Sequence, residues 1–304
     1  MISIKSPTAF SVHRYGWHYA MSFLKDFHSQ NGILLDDFIE KTHSWNVDFS
    51  TPYKRPWVGF LHNPHNMPRW FDYQHSPQSI LESARFQESL RFCRGLIVLS
   101  DYLADWLRQK VTVPVISLKH PTGPANLLWN YRKYKNKPKI VQLGYWLRKL
   151  SQIYSLKTDI DKYWLPSNQN YSKYLLDIET RVNNIEIKNR DSVIIPEHLS
   201  NLDYDEMLSG CVAVMNLYDS SANNALIECI IRNTPVIINR HPAAIEYLGN
   251  NYPLYCDFSE FSAEKLLCPA KILETNEYLA CLNKDYLKGS YFAKTFYENI
   301  RPIL

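Results

Sequence analysis

Residues 211–249 read CVAVMNLYDSSANNALIECIIRNTPVIINRHPAAIEYLG. The continuous apolar run Cys211–Leu217 predicts a strand buried on both faces, and Asn223–Arg232 predicts a helix. Pro235–Asn239 predicts the next strand, and Pro242–Leu248 a second helix that ends before a glycine. Strands that alternate with helices in this way are typical of a parallel sheet covered by helices.

The same alternation extends over the rest of the chain. The other predicted strands are Ile2–Lys5, Trp57–Leu61, Gly95–Leu99, Val113–Leu118, Lys139–Leu143, Ser192–Ile195 and Tyr252–Cys256. The other predicted helices are Trp17–His28, Ser79–Phe92, Asp101–Leu107, Ser172–Val182, Asp203–Leu208, Glu277–Leu282 and Ser290–Ile300. The pattern indicates two α/β domains, which is also the number expected for 304 residues.

The domain boundary is predicted in residues 124–138, a polar and basic stretch without an apolar period. A solvated linker explains this composition better than a nucleic-acid patch does. We therefore expect an N-terminal domain over 1–133 and a C-terminal domain over 134–285. Residues 286–304 are assigned to a C-terminal helix, and its return to the N-terminal domain is left open.

Composition excludes several functional classes. The net charge is +4 and the basic residues are dispersed, so nucleic acid is not an expected partner. None of the nine glycines lies at the spacing of a dinucleotide fingerprint or a Walker A loop. The six cysteines form no C-x-x-C pair, and no apolar run reaches about 18 residues. These features, with no signal-peptide core at the N-terminus, predict a cytoplasmic protein without a membrane span.

A small polar turn joins the strand and the helix at the start of the quoted stretch. The first turn of a helix has free N–H groups and a positive dipole end, and small side chains let a phosphate approach it. Such a turn lies at the carboxyl end of a parallel strand, where ligands bind in α/β sheets. The candidate donor-binding residues here are Asp219, Ser220, Ser221, Ala222, Asn223 and Asn224.

Glu228 follows within the apolar helix, where a carboxylate is costly unless it is paired or enters a polar site. One interpretation places Glu228 on an exposed stripe beside Arg232, four residues on. The other places it in a ligand site. Periodicity alone does not decide between them.

Three segments of the chain resemble the retaining GT4-like (glycosyltransferase group 1) family of GT-B glycosyltransferases. Glu228–Val236 resembles the family's second motif glutamate and the residues after it, and Asn239–Glu246 resembles the following strand, loop and helix. Val141–Lys149 resembles the family's strand, glycine and basic pair. The resemblance implies a GT-B α/β fold, with two Rossmann-like domains whose parallel sheets face a cleft.

The resemblance also implies roles for individual residues. Glu228 would hold the ribose hydroxyls of a nucleotide sugar, and the N–H groups of Ala222–Asn224 its diphosphate. Gly144 would lie at the donor, and Arg148 and Lys149 would act in catalysis by neutralising the leaving diphosphate, for which arginine and lysine suffice. The family's first motif glutamate falls at Ser220. Either Asp219 substitutes for it, or the sugar is held differently.

Two histidines follow the predicted strand Trp57–Leu61. His62 and His65 could ligate a metal, but no third ligand is near in sequence. A hydrogen-bonding role is the second interpretation. The resemblance implies a third, with His62 facing the donor sugar as a catalytic residue. Arg14 and His65 are the predicted acceptor contacts, and Ser11 and His13 share the loop of Arg14.

Two D-x-D triplets could hold a catalytic metal in a different glycosyltransferase fold. Asp159–Asp161 follows a polar run, and Asp203–Asp205 opens a predicted helix, where acids serve as caps. Neither follows a buried strand, so no metal site is predicted.

The sequence therefore predicts a metal-independent, retaining hexosyltransferase without a cofactor, which uses a nucleotide sugar, most simply a UDP-sugar, as substrate. The acceptor (a glycan, a lipid or a protein) is not identified, and a homodimer is left open. The two alternatives are an inactive GT-B scaffold that binds a partner and a GT-B sugar-nucleotide epimerase.

Overall fold

The computed structural model describes residues 1–4, 8, 14–45, 51–197 and 199–304. These residues form two compact units. Unit 1 comprises Met1–Gly123, Asp219–Asn224 and Lys284–Leu304, and unit 2 comprises Pro124–Tyr218 and Ala225–Asn283. Each unit contains one five-stranded parallel sheet, so the predicted α/β class is confirmed.

The sheet of unit 1 has its strands in chain order. They are β1 (Ile2–Ile4), β2 (Ile33–Asp36), β3 (Trp57–Leu61), β4 (Cys93–Val98) and β5 (Val115–Ser117). The helices are α1 (Trp17–Ser22), α2 (Pro77–Glu82), α3 (Ala84–Leu90) and α4 (Asp101–Arg108). Two predicted helices are each divided in the structure. The segment Trp17–His28 forms α1 and a separate 3₁₀ turn, and Ser79–Phe92 is divided at Ser83 into α2 and α3.

Both faces of this sheet are covered by apolar side chains. Along β3, Val58 and Phe60 belong to one buried cluster, whereas Trp57 and Leu61 belong to another. Successive side chains of a strand point to opposite faces, so a strand covered on both sides needs a continuous apolar run. This explains why β3 was predicted at its observed bounds.

The sheet of unit 2 has the order β10-β9-β6-β7-β8. The strands are β6 (Lys139–Leu143), β7 (Asp161–Leu165), β8 (Val193–Ile194), β9 (Val212–Met215) and β10 (Val236–Ile238). The helices are α5 (Tyr131–Asn136), α6 (Gln152–Ser155), α7 (Gln169–Val182), α8 (Asn201–Leu208), α9 (Asn224–Arg232), α10 (Pro242–Leu248), α11 (Ala263–Leu266) and α12 (Pro269–Cys281). The predicted strand Tyr252–Cys256 is wrong: it makes a single bridge, between Ile238 and Tyr255.

The stretch predicted as a linker contains helix α5. The Asn130 side chain caps α5 by accepting from the Lys133 N–H, and Tyr134 is buried. Just before the helix, the Trp129 indole donates to the Cys211 carbonyl at 2.8 Å. These contacts belong to unit 2, which begins at Pro124.

The last helix packs in unit 1. This helix, α13 (Gly289–Ile300), buries Phe292, Phe296 and Ile300 in the cluster that contains Phe60. A Cβ at Gly289 would lie 2.1 Å from the Phe23 ring, so only glycine permits this approach.

None of the helices in the described parts of the chain combines the length and apolar character needed to cross a membrane.

Candidate functional site

Arg148 lies next to the glycine that ends strand β6. Gly144 has φ +68°, and a Cβ on it would lie 3.2 Å from the Arg148 Cζ. Arg148 is 7% exposed, and its guanidinium donates to the Trp146 carbonyl at 2.8 Å. Glycine favours this left-handed backbone, and a Cβ here would press against the Arg148 guanidinium. The predicted sequence of strand, glycine and basic residue is therefore one local structure.

The environment of Arg148 is apolar and weakly acidic. Burial lowers the pKa of the guanidinium to about 10, and the nearby phenols of Tyr204 and Tyr145 and the Cys229 thiol oppose that shift. The side chain thus stays charged at neutral pH. A buried cation at the carboxyl end of a parallel strand favours an anionic ligand.

Lys149 is fixed through its backbone. Its N–H donates to the Asn216 carbonyl at 2.7 Å, and Arg148 forms an antiparallel bridge with Leu217. The Lys149 ammonium lies 5.7 Å from the centroid of the Tyr218 ring. The basic pair is thereby tied to the chain that leaves strand β9.

Glu228 is partly buried in α9, and its carboxylate accepts a hydrogen bond from the Tyr204 phenol. Burial raises the pKa of this phenol, and the negative charge of Glu228 raises it further. Because Tyr204 also lies near Arg148, the structure places the predicted Arg148 and Glu228 near the same tyrosine. Sequence reasoning missed Tyr204, since a single tyrosine in a helix carries no signal of its own.

The proposed exposed stripe of Glu228 and Arg232 is wrong for Arg232. That guanidinium is fully buried, donates to the Glu228 backbone carbonyl at 3.1 Å and pairs with Asp205 Oδ1 at 2.7 Å. Glu228 is therefore not one half of a solvated surface pair.

The four acids of the two D-x-D triplets lie in ordinary structural or exposed positions. The Asp203 N–H donates to the Ser200 hydroxyl at the start of α8, and Asp205 is the partner of Arg232. Asp159 and Asp161 are exposed, and Asp161 is the first residue of β7. Within the described residues, no three His, Cys, Asp or Glu side chains are grouped so as to hold a metal ion.

The turn Asp219–Asn224 belongs to unit 1 and contacts other residues of that unit. Asp219 Oδ2 accepts from the Asn66 N–H at 2.5 Å, Oδ1 accepts from the Ser220 N–H at 2.8 Å, and the Tyr102 phenol hydrogen-bonds the same carboxylate. The Ser221 hydroxyl lies 3.2 Å from that of Ser100. The remaining predicted donor contacts in this turn are Ala222, which packs on the cluster of Phe60, and Asn223 and Asn224 at the start of α9.

His62 is an uncharged residue. Its ring stacks on Phe38 at 4.0 Å and meets Trp17 edge-on at 4.4 Å. Burial lowers its pKa to about 3, and the nearby His120 acts in the same direction. Its Nε2 lies 3.1 Å from the Asp37 carbonyl, which can only accept, so Nε2 carries the proton and Nδ1 is an acceptor.

Glu40 supports the backbone that carries His62. Its Oε1 accepts from the N–H groups of His62 at 2.7 Å and Asn63 at 2.6 Å. Burial raises the pKa of the fully buried Glu40 carboxyl to about 7. This contact could not be predicted from sequence, because Glu40 and His62 lie 22 residues apart along the chain.

The predicted acceptor residues have separate aromatic partners. His65 stacks on Trp106 at 4.9 Å, and the Arg14 guanidinium lies 5.0 Å from the Tyr15 ring. Ser11 and His13 lie outside the described residues.

The predicted site residues thus fall into two sets. Unit 2 contains Gly144, Arg148, Lys149 and Glu228. Unit 1 contains Arg14, His62, His65, Asp219, Ser220, Ser221, Ala222, Asn223 and Asn224.

No protein-family model matches this sequence, and no curated protein matches it. Solved structures do match. A sucrose-phosphate synthase from Thermosynechococcus elongatus is 12% identical with a TM-score of 0.62, and the match covers 94% of this chain and 76% of that one. A UDP-forming α,α-trehalose-phosphate synthase from Burkholderia vietnamiensis is 12% identical with a TM-score of 0.58, covering 97% and 79%.

A UDP-forming α,α-trehalose-phosphate synthase from Burkholderia xenovorans, in complex with glucose-6-phosphate, is 11% identical with a TM-score of 0.57, covering 94% and 76%. At such identities the likeness defines the fold alone. The chain has the GT-B fold, with two Rossmann-like units that each contain a parallel sheet.

Proposed function

We propose that this protein is a glycosyltransferase that moves a sugar from a nucleotide-diphosphate donor to an acceptor. The observation that carries the proposal is the buried Arg148 guanidinium against Gly144 at the end of β6, with Glu228 beside Tyr204 in the same unit. The sequence resemblance to the GT4-like family and the GT-B fold support the same function.

In this proposal, Arg148 and Lys149 neutralise the diphosphate as it leaves the sugar. A cation that is already in place when charge develops stabilises the transition state more than the ground state. The reaction then needs no metal ion. Retention of configuration is proposed from the sequence resemblance.

Glu228 and Tyr204 would hold the ribose hydroxyls, and the turn Asp219–Asn224 the donor's phosphate and sugar. His62, which is neutral and has Nδ1 free of the proton, would accept a hydrogen bond from a sugar hydroxyl. Arg14 and His65 would contact the acceptor.

A UDP-sugar is the proposed donor, since two of the similar structures are described as UDP-forming. A hexose phosphate is the first acceptor to test, because one of those structures contains glucose-6-phosphate. The comparisons do not favour the inactive scaffold or the epimerase. A cytoplasmic location and a homodimer stay predictions.

The experiment incubates the protein with UDP-, GDP- and ADP-sugars, with and without hexose phosphates, and measures thermal shift and nucleoside-diphosphate release. We expect a shift and turnover with one donor, unchanged by EDTA. Arg148→Ala should lower turnover at least tenfold, whereas the exposed Arg190→Ala in the same unit should not. Absence of any shift would contradict the proposal. Loss of turnover on chelation, restored by Mn²⁺, would contradict the metal-free mechanism.

A further inference from the structure

Glu179 is a fully buried acid in α7 that the proposed mechanism does not use. Its Oε1 accepts from the Leu150 N–H at 3.0 Å, and its Oε2 from the Ser151 N–H at 2.7 Å. The Tyr218 hydroxyl donates to Oε1 at 2.7 Å. Burial raises the pKa of Glu179, and these hydrogen bonds oppose that shift.

Two partners of Glu179 lie on the segment that carries the basic pair, and the third lies on the segment after β9, to which that loop is hydrogen-bonded. Leu150 and Ser151 directly follow Arg148 and Lys149. Tyr218 is the residue whose ring lies under the Lys149 ammonium, 5.7 Å away. One carboxylate therefore holds the backbone after the cations and the ring beneath one of them.

Other contacts restrict the loop after β6 and the Tyr218 side chain. The Lys149 N–H is bound to the Asn216 carbonyl, and the Asn183 amide donates to the Tyr218 hydroxyl at 3.1 Å. Charge-assisted hydrogen bonds are about twice as strong as neutral ones, so the carboxylate is the strongest of these restraints.

We propose that Glu179 is a positioning residue, which fixes the loop after β6 so that Arg148 and Lys149 meet the diphosphate of the donor. This inference rests on the proposed function, because it assigns to Glu179 the geometry of the diphosphate site. Glu179 itself touches no substrate.

The test compares the wild-type protein with E179Q, Y218F, R148A and the double variant E179Q/R148A. D177N is the matched control, since Asp177 lies on the same helix and pairs with Arg190 at the surface. Affinities for UDP and for uridine are measured by calorimetry. Amide hydrogen exchange is measured in a peptide that spans residues 144–156.

We expect E179Q to weaken UDP binding about tenfold, the size of one lost charge-assisted hydrogen bond, with uridine binding within about twofold of wild type. Y218F should weaken UDP binding in the same direction and by less. The double variant should bind UDP about as weakly as R148A, because both changes act on one contact. Exchange at Leu150 and Ser151 should rise in E179Q and not in D177N.

The outcomes separate this inference from the proposed function. Wild-type protein that fails to bind UDP would overturn the proposed function. If R148A loses UDP while E179Q and Y218F keep wild-type affinity, the inference is overturned and the proposed function stands. The inference is also overturned if E179Q loses affinity for UDP and for uridine equally, or if amide exchange at Leu150 and Ser151 is unchanged in E179Q. Y218F keeps the test decisive if E179Q fails to fold.

Discussion

At the scale of single residues, Glu228 is the acid whose surroundings fit a ligand contact. The residue is partly exposed, and its carboxylate hydrogen-bonds the Tyr204 phenol. A carboxylate has about four lone-pair sites for accepting hydrogen bonds, which suits two vicinal hydroxyls such as those of a ribose.

Glu228→Ala should therefore weaken UDP affinity by about 1.5–3 kcal/mol, the cost of losing hydrogen bonds to a charged group. Calorimetry with UDP measures the change, and circular dichroism checks the fold. The control is Glu274→Ala, which removes an exposed acid of the same unit. Unchanged UDP affinity in Glu228→Ala would show that this carboxylate has no part in nucleotide binding.

Glu40 makes stability depend on pH. Its pKa is about 7 in the folded protein against 4.5 for the ordinary group, so the folded state favours the protonated form. Its contribution to stability is complete below pH 4.5 and is lost as the pH rises through 7. The groups that face it include Asp36, whose pKa is raised to about 6, and the neutral His62.

Glu40→Gln should remove this dependence. The quantity to follow is the free energy of unfolding of the variant minus that of the wild type. This difference should rise by on the order of 3 kcal/mol between pH 4 and pH 8. Urea unfolding at several pH values measures the difference, in which titrations common to both proteins cancel. Glu82→Gln, at an exposed position, is the control. If the difference in free energy of unfolding stays constant from pH 4 to pH 8, Glu40 does not have a raised pKa in the folded protein.

Some site residues could be predicted from the sequence and others could not. Gly144 and Arg148 were predictable because they are neighbours in sequence and their contact is local. Glu40, Glu179 and Tyr204 were not, because their partners lie 22 or more residues away along the chain. A single acid in a helical pattern has the same local signature whether it is buried or exposed.

At the scale of elements, a buried ion pair joins α8 to α9. Arg232 and Asp205 are 0% and 1% exposed, and Asn126 donates to the second Asp205 oxygen at 3.2 Å. Removing one partner of such a pair leaves a charge in an apolar interior.

Asp205→Asn should lower the free energy of unfolding by about 3–5 kcal/mol, measured by urea denaturation. Asp177→Asn, which breaks an exposed pair with Arg190, should cost about 0–1 kcal/mol. The double variant Asp205→Leu/Arg232→Met should recover most of the loss, since no charge is then buried. A loss in Asp205→Asn as small as in Asp177→Asn would contradict the role of this pair.

Sequence reasoning missed β2, β7 and α5, which have a short apolar run or none. β7 begins Asp161-Lys162-Tyr163 and gains its place by pairing with β6 over five residues. β2 has only three apolar residues in succession. α5 depends on its Asn130 cap and on the burial of Tyr134, which no periodicity reveals. Tertiary packing decides such segments.

At the scale of the whole molecule, the core of unit 1 is completed by α13. Phe296 is 1% exposed, and its ring stacks on Phe60 with 6.1 Å between centroids. Roughly 160 residues separate the last segment of unit 1 from Met1–Gly123, yet α13 is part of the same hydrophobic core as β1, β3 and β4.

Phe296→Ala should destabilise the protein by about 3–5 kcal/mol, through lost burial and the cavity left beside Phe60. Differential scanning calorimetry would show a lower melting temperature. Tyr291→Ala on the same helix changes a side chain that is 45% exposed and should stay within about 0.5 kcal/mol of wild type. Equal effects of the two substitutions would argue against a core role for α13.

The position of α13 has a consequence for biosynthesis. Ribosomes add about 5–20 residues per second, and domains made first generally fold first. Here the first 123 residues of unit 1 leave the ribosome roughly 160 residues before the segment Lys284–Leu304. For about ten to thirty seconds, the nascent unit 1 exposes the apolar surface that Phe292 and Phe296 later cover. During that interval this surface stays open to water, and slower translation of residues 124–283 would prolong the exposure.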